Sequence, residues 1–155
     1  MQTPIDLRLA RHGVVVLLLG LLTGFVIGHL HNPHLGDAAH LVGLIGGFGM
    51  IALGLLWPKL SLGGAWSRAG AWMTAASMYL NWLGCIFLGA FGSGPNAPNS
   101  PILGPPLLWD RAGQIALMIG AFLSLFATLI VLLGLRKLTT PAEAQTAMPA
   151  GVMTE

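Results

Sequence analysis

Residues 36–47 read Gly-Asp-Ala-Ala-His-Leu-Val-Gly-Leu-Ile-Gly-Gly, a run that carries one imidazole, His40, into a stretch otherwise apolar enough to lie in lipid. If Ala38 to Trp57 is a membrane helix, helical spacing gathers His40, Gly43, Gly47 and Gly54 on one face, with Leu44 and Met50 at its edges. That face has a nitrogen ligand at one end and almost no side chains below it. Glycines beside an imidazole let either another helix or a flat prosthetic group come close to the backbone.

The surrounding chain sets this stretch in a membrane protein. Of 155 residues, 55% are hydrophobic and only 8% are charged, and the mean hydropathy is +0.78, outside the range of water-soluble domains. Four apolar stretches long enough to cross a bilayer occur at about 13–30, 38–57, 68–91 and 112–135. The expected fold is all-α, an integral membrane four-helix bundle over residues 1–137, followed by a disordered tail at 138–155. The first stretch follows Arg8 and Arg11 as a secretory signal would, but further spans succeed it at once, so it reads as a retained helix.

Charge gives the orientation. Arg8, Arg11, Lys59, Arg68, Arg136 and Lys137 fall on one side of a four-span chain and Arg111 alone on the other, which by the positive-inside rule makes both termini cytoplasmic. Without a basic cluster interleaved with aromatics, nucleic acid is not an expected partner; membrane lipid is. The single cysteine, Cys85, cannot form an internal disulfide and reads as a small buried hydrophobe.

Helix-packing signals run along the spans. Gly20, Gly24 and Gly28 recur every fourth residue, a small-residue ladder suited to close helix contact. Ser77, Asn81, Gly84 and Leu88 share one face of the third span, and Gly113, Leu117, Gly120, Ser124 and Thr128 share one face of the fourth. Asn81 is the one carboxamide well inside a span. It is costly in hydrocarbon unless hydrogen-bonded, so it is expected to point into the bundle as a polar site residue. Trp57-Pro58 should end the second helix, with the indole at the membrane interface.

Two loops invite functional readings. His29, His31 and His34 lie close together around Asn32-Pro33, yet nothing sets them on a common rigid face, so they read as interfacial polar residues rather than a metal site. The segment 92–106, rich in Pro and Gly, is either a lid over a site or a tether. Intramembrane acidic pairs, a Ser-His-Asp set and a phosphate-cradling glycine loop are all missing, which argues against proton-coupled transport, serine hydrolysis and nucleotide chemistry. What remains is His40, a neutral imidazole of the kind that serves as an axial haem ligand and leaves the opposite position open.

Several segments carry a family resemblance: Arg11-His12-Gly13, Leu18-Leu19-Gly20-Leu21-Leu22-Thr23-Gly24, Asn32-Pro33-His34-Leu35-Gly36-Asp37-Ala38-Ala39-His40-Leu41, Ala52-Leu53-Gly54-Leu55-Leu56-Trp57 and Tyr79-Leu80-Asn81-Trp82-Leu83. Together they resemble the membrane-bound hydroxylaminobenzene mutase family. More distantly, the His-Gly start and the span after His40 are similar to styrene oxide isomerase. The resemblance implies a homotrimer of four-helix protomers in a bacterial inner membrane, with haem b at subunit boundaries. His40 would be the metal ligand, with Gly43 and Gly47 beside the cofactor. It further implies a redox-neutral rearrangement of a small aromatic hydroxylamine or epoxide, with ferric iron acting as Lewis acid.

Three positions depart from the pattern. Six residues after the histidine, where both families tend to carry asparagine, stands Gly46; two residues after it, where mutases carry glutamate, stands Val42. The tyrosine of the epoxide isomerases falls on Cys85. These losses touch the substrate side more than the haem side. They keep open a second reading, a non-catalytic haem-binding or structural subunit of a membrane complex.

Overall fold

A computed structural model describes residues 5–92 and 108–136. The expected tail at 138–155 and nearly all of the Pro-rich segment lie outside the described residues. Four helices account for almost everything described: α1 (Ile5–Val26), α2 (Pro33–Leu56), α3 (Gly64–Phe91) and α4 (Leu108–Arg136). At about 1.5 Å rise per residue, even the 22-residue α1 reaches across the roughly 30 Å hydrocarbon layer. All four are long and apolar enough to cross a membrane. Phe25, 82% exposed, and Leu108, 76% exposed, show large apolar side chains turned outward, as lipid requires and water would penalise.

Each helix begins earlier than hydropathy alone predicts, and local chemistry explains the difference. Asn32-Pro33, expected as a turn, starts α2: Pro33 takes the first helical position, where no N–H is needed, and the Asn32 side chain accepts from the Leu35 N–H at 3.4 Å. His34 and Asp37 therefore sit on the first turns of α2 rather than in a loop. At the other end of α2 the chain tightens into a 3₁₀ turn, Trp57–Lys59, around Pro58. Trp57 is not an exposed interfacial indole. It is 2% exposed, packed in the core, and donates through Nε1 to Ser67 Oγ at 2.9 Å.

The helices pack in chain order, α1 on α2, α2 on α3 and α3 on α4, with α1 also touching α3. Neighbours run antiparallel. Two main-chain bonds tie the hairpins at opposite ends: Asn32 N–H to the Gly89 carbonyl at 2.9 Å, and Ser61 N–H to the Gly134 carbonyl at 3.3 Å. Arg8, Lys59 and Arg68 therefore share one end with the close of α4, and Arg111 lies at the other, which is the grouping the charge pattern predicts.

Small residues make the seams. Gly20 meets Gly43 backbone to backbone, and Gly13 and Gly47 extend that contact along α1 and α2. Gly28, expected as the next rung, has open space around it, because α1 gives way at Ile27 to a 3₁₀ turn that breaks the four-residue phase. On the other hairpin the two predicted faces meet: Gly84 abuts Gly113 and Leu117, and Gly120 abuts Asn81. Two hydroxyls within the spans bond back to their own helix, Thr74 to the Gly70 carbonyl and Ser77 to the Thr74 carbonyl, so neither donor is stranded.

Candidate functional site

His40 enters on the second turn of α2, turned toward α1. Its Nδ1 lies 2.7 Å from the Gly20 carbonyl oxygen. A carbonyl only accepts, so Nδ1 is the donor, and in the neutral ring that tautomer puts the lone pair on Nε2. The ring lies over Gly24: a β-carbon there would come within 3.1 Å of both Cε1 and Nδ1. A larger residue there would press the imidazole to move by a few tenths of an ångström. The acceptor itself comes close because Gly43 and Gly20 let the helices touch, so the glycine face beside His40 is used for helix approach.

On its other face α2 does not close against α3. A groove of about 420 Å³ opens there, walled by Leu41, Ile45, Leu53 and Met78, with Gly46 and Gly49 at its base and Thr74 and Asn81 as its polar groups. Asn81 is half-buried, with its Oδ1 packed where a β-carbon of Gly120 would stand. It points into the bundle as expected. Two of the three sequence departures fall here: Val42 and Gly46 both line the groove, while Cys85 is buried elsewhere, 7% exposed. The space beside Gly46 is taken by Met78, whose sulfur would sit 2.6 Å from an added β-carbon.

His40 faces α1, whereas Asn81 lines the groove on the other face of α2. The residue after Asn81, Trp82, donates through Nε1 to Thr23 Oγ1 at 3.0 Å, and Thr23 adjoins the Gly24 on which His40 rests. Thr23 in turn donates to the Leu19 carbonyl at 2.8 Å. His40 is not among the residues that line the groove.

Other polar residues were harder to foresee. Asp110, in the first turn of α4, is fully buried, and so is Asn32. An acid in the first turn of a helix is a common sequence feature, and burial adds no mark of its own to it. His12 bonds through Nδ1 with the Tyr79 hydroxyl at 3.1 Å, a pairing 67 residues apart that no local pattern records. Of the loop histidines, His29 closes a 3₁₀ turn, His31 lies between that turn and α2, and His34 is the second residue of α2; among the described residues no three His, Cys, Asp or Glu converge as a metal-ion site.

The family model described as styrene oxide isomerase matches residues 5–136, the whole of the helical region. Hydroxylaminobenzene mutase HabB of Ectopseudomonas oleovorans is 36% identical over 154 residues, covering 96% of this chain and 91% of that protein. Hydroxylaminobenzene mutase HabA of the same organism is 43% identical over 82 residues, 53% of this chain and 61% of that protein. No solved structure matches.

Proposed function

Since the chain belongs to the styrene oxide isomerase family and is a multi-pass membrane protein of mutase or isomerase type, we propose that it is a haem-dependent enzyme. Its reaction is the redox-neutral rearrangement of a small aromatic hydroxylamine to an aminophenol, or of an epoxide. The observation that carries this reading is the hydrogen bond from His40 to the Gly20 carbonyl, which fixes the ring and, in its neutral form, puts the lone pair on Nε2. Among the described residues this imidazole has no cluster of further His, Cys, Asp or Glu ligands around it, a donor set that would suit haem iron better than a chelated ion.

In this reading His40 holds haem b. When bound, ferric haem would supply Lewis-acid polarisation for the N–O or C–O bond of the substrate. The protein's own residues do the rest. The Gly20 carbonyl fixes the tautomer, and Gly43 and Gly47 support the site by holding α1 close. Asn81 donates its amide to the substrate oxygen, because with Val42 and Gly46 apolar it is the groove's remaining carboxamide. The aliphatic walls keep water from the reacting substrate.

The same reading takes the chain as a homo-oligomer, a trimer by resemblance, with haem at subunit boundaries, both termini cytoplasmic and the whole in a bacterial inner membrane. It is supported by the separation of His40 and the groove on opposite faces of α2. A Soret band in the purified protein, abolished by His40→Ala, together with conversion of phenylhydroxylamine to 2-aminophenol without added reductant, is the expected result. No Soret band overturns the haem assignment. A Soret band without turnover of either substrate class establishes instead the non-catalytic subunit that Gly46 and Val42 favour.

A further inference from the structure

At the opposite end of α1 from the histidine site, α1 and α3 converge on a second, smaller cavity of about 100 Å³. His12 stands twelve residues before Gly24, so the two sites are separated by about 18 Å along the helix. The floor is apolar, formed by the buried Leu9 and Ala75. The rim carries two guanidiniums from different helices, Arg8 of α1 and Arg68 of α3, both exposed. One wall is His12, held in place by its bond to the Tyr79 hydroxyl and by ring contact with Trp72, the centroids 6.0 Å apart.

We propose that this cavity binds the headgroup of an anionic phospholipid, with Arg8 and Arg68 on the phosphate. Two like charges brought to one cavity by separate helices repel each other, and a shared anion reverses that sign. Guanidinium forks match phosphate oxygens in pairs. The mouth also has the amphipathic character of a headgroup region: Trp72, which lines it, is 66% exposed, and Leu7 is exposed on α1 next to Arg8. A soluble anion would use the arginines but gain nothing from that open aromatic and aliphatic surface. A lipid uses both, placing its acyl chains along Trp72 below the charged rim.

Full-length protein in neutral detergent is titrated with dioleoylphosphatidylglycerol and, separately, with dioleoylphosphatidylcholine, and retained lipid is read by native mass spectrometry. The unmodified protein retains the glycerol lipid in preference to the choline lipid, a contest that needs no variant. Arg8→Gln with Arg68→Gln lowers affinity for the anionic lipid by roughly tenfold to thirtyfold, each single change by part of that, with helix content unchanged by circular dichroism. Equal retention of the two lipids overturns the proposal, as does undiminished retention by the folded double variant. Displacement of the lipid by an equal concentration of inorganic phosphate shows a soluble-anion site and overturns it too.

Discussion

Both faces of α2 are lined with glycine, and the two faces do opposite things. Toward α1, Gly43 and Gly47 are covered by backbone and by Leu17, so the lack of side chains becomes contact. Toward α3, Gly46 is covered only by the end of Met78 and Gly49 by nothing, so the same lack becomes empty volume. What a glycine contributes inside a membrane protein is thus decided by its neighbour: rigid main chain converts it into a seam, and a flexible thioether or open space leaves a cavity.

The sharpest attempt to break this contrast is Gly43→Val. Its β-carbon would fall on Gly20 Cα and within 2.7 Å of Gly20 N, main-chain atoms that cannot step aside. A loss of about 3 kcal/mol is expected, the upper end for overpacking, read from unfolding in an SDS titration. Tolerance of valine there would show that the α1–α2 seam is loose.

Next in size is Gly24→Ala, which presses on the His40 ring from 3.1 Å. Displaced from the Gly20 carbonyl, the imidazole should lose about tenfold in haem affinity, as when other outer-shell partners of a metal ligand are disturbed. Titration of the apoprotein with haem measures it, and an unchanged affinity would separate the hydrogen bond from ligation.

On the groove side the effects shrink. Gly46→Ala needs only the tip of Met78 to swing, for a cost of about 1 kcal/mol, and in the groove reading it raises KM more than it lowers kcat. Gly49→Ala meets no atom within 4 Å and should be neutral or stabilising by about 0.5 kcal/mol, from helix propensity alone. If Gly49→Ala destabilises as much as Gly43→Val, the distinction between seam and groove fails.

Periodicity made one half of this architecture legible. Ser77, Asn81, Gly84 and Leu88 were grouped by spacing, as were Gly113, Leu117 and Gly120, and α3 and α4 bring these two faces together. The His40, Gly43, Gly47 and Gly54 face was equally plain, since a stripe of small residues declares a close approach. It does not declare to what, and the pattern alone left helix and prosthetic group equally open. The Gly20 carbonyl bond is invisible in sequence, because every residue offers a carbonyl. The burial of Trp57 and Asp110 has no mark in the sequence for a related reason: hydropathy ranks residue types by their average surroundings, while the Ser67 hydroxyl and the first turn of α4 make local exceptions.

The acceptor that orients His40 belongs to the main chain, and this sets how the site responds to inherited change. No codon at position 20 deletes a carbonyl oxygen, so mutation there acts by altering the distance between two helices and leaves the acceptor chemistry intact. Weakening the acceptor itself at that residue would take an ester in place of the peptide linkage, whose carbonyl oxygen accepts less strongly, a substitution open to synthesis and closed to heredity.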